Sequence, residues 1–428
     1  LLKFGQGHMS IELDNIIHAL RSFGPVFFLD SQSAGHPSAN CSYLAALPEV
    51  FFEAKGDEIT ISKSGEKTQF QANPWKAFSY FQQNVDDWLF GFLGYDLKNW
   101  NEHLVSENND SLNLPDLLFF VPKLVLKVDP ESQDIEIVKG DLPIQISLDF
   151  DVEQELAFDE IQHSVSREEY LQMIRKAQKM IYEGEFYEIN LSHQIKMDFL
   201  GDPYALYARM KKHAPVPFGA FASLDDYAIC CMSPERFLSR KGNRIFSQPI
   251  KGTRGRSADA KEDHKLIKEL ADSEKEKAEN LMIVDLVRND FNRVAVPGTV
   301  QVSNLFEIQS FGTVHQMVSS IQAEVQDTIP VEIIKNCFPM GSMTGAPKIS
   351  AMKSIEKLEN YKRGIYSGAI GYFNPKGDFD FNVVIRTALI KNDTLYYSAG
   401  GAITSDSDPE KEWEETLTKT EALTNIIK

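Results

Sequence analysis

Lys251 stands in the run Pro249-Ile250-Lys251-Gly252-Thr253, which reads as a turn, with Arg254 and Arg256 close behind it. Neighbouring cations and partial burial both favour the neutral amine, the form of lysine that attacks carbon. In water the same residue is a solvated loop cation, and a third reading makes it an anchor for phosphate or carboxylate. Ser233-Pro234-Glu235-Arg236-Phe237 puts a carboxylate between a proline and an arginine at the end of an expected strand. Glu235 serves as a general acid only if burial outweighs the pull of Arg236 on its pKa; otherwise the two form a surface ion pair. Glu276 with Glu279, and Glu412 with Glu415, are carboxylates at i, i+3 spacing, so each pair shares one helix face. Two such faces opposed make a cage of hard oxygens suited to Mg²⁺. The surrounding Glu274-Lys275-Glu276-Lys277 equally has the pattern of a salt-bridged solvent face.

Other segments are less specific. Phe338 to Lys348 is small, flexible and followed by an expected helix, but its spacing is not that of a phosphate loop. Pro347 removes an amide where such a loop carries its lysine, so nucleotide binding is rejected. Its backbone amides remain available to a carboxylate, as do those of Ala399-Gly400-Gly401-Ala402. His315 lies among apolar residues and is a site residue or a satisfied core histidine. Arg386, inside the apolar run Asn382 to Ala388, needs an anion, which is either a protein carboxylate or a substrate.

These side chains must be positioned by a mixture of strands and helices. Residues 9 to about 155 hold short apolar or alternating runs, such as Val26-Phe27-Phe28-Leu29, Glu58 to Ile61 and Asp134 to Val138, which read as antiparallel strands. In Phe90 to Asp96, two glycines among aromatics suit a strand lying close under another backbone. The acidic stretch Asp149 to Glu160 reads as a linker. Ser166 and Glu169 have capping-box spacing at the start of a helix that runs to Gly184. Strands are expected to about residue 250, then one long charged helix from about Asp259 to Arg288. Strands from Ile365 to Ile403 follow, and a last helix opens at Asp408-Pro409. Strands and helices without a strict βαβ period indicate a mixed α+β chain.

At 428 residues the chain suffices for two domains or one large layered domain. Its net charge of −18 disfavours nucleic acid and anionic membrane as partners, and obliges any anionic substrate to find local cations. Cys41, Cys230, Cys231 and Cys337 form no C-x-x-C pair and read as reduced thiols of a cytoplasmic protein. No apolar run reaches membrane-spanning length and no signal peptide is visible. Leu1 to His8 reads as an appended leader ahead of a native start near Met9.

Taken in order, the blocks Glu183 to Leu191, Ser233 to Phe237, Pro249 to Thr253, Ala278 to Asp290, Gly341 to Lys348, Tyr366 to Tyr372, Ile385 to Ala388 and Asp406 to Pro409 resemble the chorismate-utilising enzymes. The resemblance is strongest to those of the aminodeoxychorismate synthase component I type. It covers residue 165 to the end as a chorismate-binding catalytic domain, and matches 9–155 more loosely as the N-terminal region. It implies an α/β (α+β) fold like that of anthranilate synthase component I, with two large, mainly antiparallel sheets flanked by helices. It further implies that Mg²⁺ bound through Glu279 and Glu415 holds the ring carboxylate of chorismate while Glu276 and Glu412 steady the metal's waters. Tyr366, Arg386 and the amides of Gly400 and Gly401 would hold the enolpyruvyl carboxylate. His315 and Ser342 would line the ring, and Gly252 and Thr253 would flank the lysine against the substrate.

Lysine at position 251 resembles the enzymes that aminate C4, where those similar to anthranilate synthase carry alanine. The implied chemistry has Lys251 add at C2 as the C4 hydroxyl leaves with a proton from Glu235. Ammonia from a separate glutaminase subunit then adds at C4 and expels the lysine. No Gly-x-Cys-x-Gly loop surrounds any cysteine, so the chain is not expected to hydrolyse glutamine itself. The alternatives are anthranilate synthase component I and an inactive scaffold for the glutaminase. Three positions depart from the family pattern. Glu188 replaces the commoner glutamine, or the lysine of isochorismate and salicylate synthases. Gly400-Gly401-Ala402 replaces Gly-Ala-Gly. His213 to Pro217 differs from the motif that helps form a tryptophan pocket in relatives.

Overall fold

Two long strands, Ser42–Lys55 and Leu117–Val128, pair with each other along most of their length and belong to both halves of the β-structure. Their register shifts between Pro48 and Val50, opposite Pro122, where neither proline has an amide to give the ladder. The computed structural model describes residues 12–32, 41–143, 151, 153–311 and 314–427. The expected leader before Met9 and part of the acidic linker lie outside the described residues.

From that shared ladder the strands spread as two antiparallel leaves. One runs from Ser42–Lys55 through Val26–Asp30, Phe218–Ser223, Tyr227–Ser233, Thr387–Lys391 and Thr394–Ile403 to Glu188–Leu200. The other runs from Leu117–Val128 through Leu89–Leu93, Ala369–Phe373, Phe379–Asn382 and Arg236–Lys241. It continues through Arg244–Gln248 and Ile250–Gly255, which lie end to end along Val314–Glu324, and finishes at Gln301–Ser310. This is the mixed, mainly antiparallel architecture expected; the one parallel bridge among the described residues joins Asn109 and Tyr361.

Aromatic and β-branched residues of both leaves, including Phe27, Phe90, Phe92, Phe120 and Ile229, form the cluster between them. The outer faces are covered by helices. Pro74–Asn84, Glu274–Asn292 and Pro330–Cys337 pack on the second leaf; Leu13–Arg21, Pro203–His213 and Pro409–Ile427 pack on the first. No helix among the described residues is long and apolar enough to cross a membrane.

Local sequence explains most boundaries. Ser166 caps Arg167–Tyr182 in a complete capping box with Glu169. Pro409 opens the last helix, and Asp408 accepts the Glu410 amide at 3.0 Å. The expected long charged helix is two helices, Ala260–Asp272 and Glu274–Asn292. Ser273 separates them because its backbone is extended and its hydroxyl accepts the Glu276 amide, so one serine ends the first helix and caps the second. Gly91 sits under the neighbouring strand as its glycine-aromatic pattern suggested: a Cβ there would come within 1.9 Å of the Leu118 carbonyl oxygen.

Candidate active site

Lys251 and Glu188 meet where strands of the two leaves approach each other. Glu188 is the first residue of Glu188–Leu200, and Lys251 is the second of Ile250–Gly255. The Nζ of Lys251 donates to Glu188 Oε1 at 2.5 Å, with both side chains buried. The expected turn is instead a strand with a bulge: Gly252, at φ +76°, stands where the ladder with Val314–Glu324 shifts register, and a Cβ there would stand 2.9 Å from Glu276 Oε2. Lys251 is therefore not a solvated loop cation. Burial opposes its ammonium, but the charges of Glu188, Glu279 and Glu235 more than offset this and raise its pKa above the ordinary lysine value.

Glu235 turns away from Arg236. The arginine makes two bonds of 2.9 Å to Asp380, donates to Gln248 at 2.9 Å and lies over the Phe218 ring. The surface-pair reading fails because Arg236 is committed to the opposite side. Glu235 accepts the Ser342 hydroxyl at 2.7 Å, and burial pushes its carboxyl up to about 7 against the pull of that hydrogen bond and of Lys251. Ser342 comes from the short 3₁₀ turn Gly341–Met343, so the segment that superficially suggests a phosphate loop delivers a hydroxyl to the acid.

The helix glutamates converge in part. Lys275 Nζ lies 3.7 Å from both Glu279 Oε1 and Glu412 Oε1, a cation between carboxylates from two helices. Glu279 is buried, its Oε1 has no hydrogen-bond partner, and burial raises its carboxyl to about 7. Ser407 donates to Glu412 at 2.8 Å. Glu415 pairs with Lys419 at 2.7 Å, and Lys419 also donates to the Gly400 carbonyl at 2.7 Å. A Cβ on Gly401 would stand 3.3 Å from Glu412 and 3.6 Å from Glu415, so the glycine lets backbone lie against the acids. Glu276 receives Arg254 at 3.3 Å. Among the described residues no three His, Cys, Asp or Glu side chains are arranged to hold a metal. The chemistry of the donor set is nevertheless that of a hard-cation site, with a buried, unpartnered carboxylate oxygen and a lysine held between two acids. The salt-bridged-face reading holds for the outward pair, Lys277 with Glu274 at 3.1 Å, and fails for Lys275.

Arg386, in a left-handed conformation at φ +52°, is half-buried, and no carboxylate among the described residues lies within ion-pair distance. Its choice between a protein anion and a substrate thus falls away from the former. Burial lowers its pKa, partly offset by Tyr397, which also feels Tyr366. Tyr366 is buried. Gly400 lies so close to the strand beside it that a Cβ would be 2.3 Å from the Leu191 carbonyl. Thr253 is exposed and accepts Gln316 at 3.5 Å. His315 is fully buried and bonded through Nδ1 to Ser310 at 2.7 Å and through Nε2 to Asp263 at 2.9 Å. Neither His315 nor Arg386 is hydrogen-bonded to the Lys251 cluster among the described residues.

Several contributors escape a reading by sequence. Glu359 and Arg363 form a buried ion pair at 2.6 Å that also holds the Ser192 amide, the Asn190 carbonyl and the Met343 carbonyl. Their i, i+4 spacing is visible, but their burial is not. Lys275 and Lys419 stand four residues from Glu279 and Glu415, a spacing indistinguishable from a surface pair.

A family model described as chorismate binding enzyme matches residues 24–425. Aminodeoxychorismate synthase component 1 of Escherichia coli is 33% identical over 410 residues, 91% of this chain and 90% of that protein. The chloroplastic aminodeoxychorismate synthase of Arabidopsis thaliana is 37% identical over 82% of this chain, which spans 42% of that protein's length. Among solved structures, anthranilate synthase component I from Streptococcus pneumoniae TIGR4 superposes with a TM-score of 0.78 at 27% identity, covering 91% of this chain and 93% of that one.

Proposed function

The chain belongs to the chorismate-binding enzymes, and from that membership we propose that it aminates chorismate at C4 to give 4-amino-4-deoxychorismate, on the way to 4-aminobenzoate and folate. The observation that carries this reading is the buried Lys251 beside an acid, Glu235, whose pKa of about 7 leaves it substantially protonated near neutrality. Relatives named aminodeoxychorismate synthase support the same reaction. The designation component 1 in the bacterial relative supports a separate partner, and we take this to be a glutaminase that supplies ammonia. The free cysteines, three of them buried, support a reducing, cytoplasmic setting.

In this reading the Lys251 amine bonds to C2 of the ring while the C4–O bond breaks and Glu235 protonates the departing hydroxyl to water. Ammonia then bonds to C4, the C2–N bond breaks, and the lysine is restored. Covalent catalysis divides one difficult substitution into two easier ones. Ser342 orients the Glu235 carboxyl through its hydroxyl. Arg386, Tyr366 and the Gly400–Gly401 backbone hold the enolpyruvyl carboxylate, with His315 lining the ring and Gly252 and Thr253 flanking the lysine. Glu279 and Glu415, with Glu276 and Glu412, would hold Mg²⁺, which when bound supplies positive charge to the ring carboxylate. Lys275, which lies between Glu279 and Glu412, would have to leave that place for the ion to be held there.

The test is to incubate the protein with chorismate, Mg²⁺ and ammonium and to identify the product by mass and absorbance. The expected product is 4-amino-4-deoxychorismate. Anthranilate with pyruvate would instead assign C2 amination, and untouched chorismate would point to a scaffold.

A further inference from the structure

Glu188 has no place in the reaction so far, yet it is the one residue in hydrogen-bond contact with the Lys251 amine among the described residues. Resting on the C4-amination reading, we propose that Glu188 is the base that takes the proton from Lys251 when the lysine attacks, and returns it when ammonia displaces the lysine.

Three carboxylates face this lysine: Glu188 from the start of its strand, Glu279 from the helix Glu274–Asn292, and Glu235 from the turn after Ser233. Together they keep the resting lysine charged, and an ammonium has no lone pair with which to attack carbon. Glu235 is unsuited as acceptor because it must hold its own proton for the leaving hydroxyl. Glu279 makes no hydrogen bond to Lys251. Glu188 Oε1 lies 2.5 Å from Nζ, so the proton crosses without movement of either heavy atom.

The other oxygen, Glu188 Oε2, is buried and has no hydrogen-bond partner. Lys251 is therefore the single hydrogen-bond partner of the Glu188 carboxylate among the described residues, which leaves the lysine as the group it exchanges a proton with. After transfer, a neutral amine faces a neutral carboxyl and the hydrogen bond between them survives. The protons balance: Lys251 gives one to Glu188, Glu235 gives one to the departing hydroxide, and the ammonium formed at C4 returns one to Glu235. The proton on Glu188 goes back to the freed lysine.

The experiment mixes excess enzyme with chorismate and Mg²⁺ without ammonia and follows the Lys251 adduct by intact mass and peptide mapping. Steady-state kcat and KM are measured against pH for the wild type, Glu188→Gln and Glu188→Asp. At neutral pH, Glu188→Gln should form the adduct about 100-fold more slowly, the scale of a lost general base. Its KM for chorismate should be unchanged, and its rate should climb with pH up to about 7 as the lysine deprotonates unaided, then level off as Glu235 loses its proton. Glu188→Asp should recover part of the rate. A Glu188→Gln enzyme with the wild-type adduct rate and pH profile, or one impaired through KM alone, overturns the role of Glu188. A wild-type enzyme that forms no Lys251 adduct sinks the underlying reaction and the inference together, and so is distinguishable from failure of Glu188 alone.

Discussion

At the scale of single residues, chemistry here depends on which neighbour each charged group is committed to. Glu235 is available as an acid because Arg236 is occupied by Asp380 and Gln248. Its raised pKa fixes the sign of the pH dependence: the proton it donates is present below about 7 and lost as pH rises through that value. Turnover should therefore fall on the alkaline side of neutrality, and Glu235→Gln should lose roughly 10²–10⁴-fold in kcat. A wild-type profile flat across neutrality, measured with saturating ammonium, would separate Glu235 from proton donation. Lys251→Ala should abolish C4 amination while calorimetry still detects chorismate binding; unchanged turnover would remove the lysine from the covalent role.

At the scale of elements, close backbone contact places the strands that carry the site. The strand Leu89–Leu93 joins the shared ladder to Ala369–Phe373, next to Tyr366 in the chain. Gly91 is the point of closest approach, since a methyl there would overlap the Leu118 carbonyl. Gly91→Ala should cost about 1–3 kcal/mol or more through forced backbone shifts, read from urea unfolding. A variant as stable as the wild type would show that this strand has room to move. The break at Ser273 matters similarly, because it starts Glu274–Asn292 where Glu276 and Glu279 face Gly252 and Lys275.

At the scale of the molecule, an acidic protein must bind a dianion, and it gathers cations locally to do so. Lys275 and Lys419, from two helices, sit on the helix glutamates and the Gly400 carbonyl, while Lys251 pairs with Glu188 from the other leaf. Because Glu188 and Lys251 lie on strands of the two different leaves, ligand binding should stabilise the sandwich as a unit. With Mg²⁺ present and chorismate at about 100 times its dissociation constant, the gain should be about 2.7 kcal/mol. Thermal unfolding followed by tryptophan fluorescence and by far-ultraviolet circular dichroism should shift upward together. A shift in one signal alone would mean that only one leaf feels the ligand.

Much of the architecture was legible because it rests on local patterns: alternation marked the strands, Ser166 and Asp408-Pro409 marked helix starts, and the glycine-aromatic run marked a close-packed strand. The family was legible from ordered blocks of residues along the chain. Burial was not, because it depends on what distant segments cover. Lys275 and Lys277 are two residues apart in one charged run, yet one points between Glu279 and Glu412 and the other pairs outward with Glu274. The direction of Glu235 away from Arg236, and the pairing of Lys251 with Glu188 across 63 positions, were likewise settled only when the two leaves came together. The sequence alone determined which chemical groups the molecule owns; the packed sandwich decided which of them leave water and touch, because proximity and desolvation, not residue type, govern their reactivity.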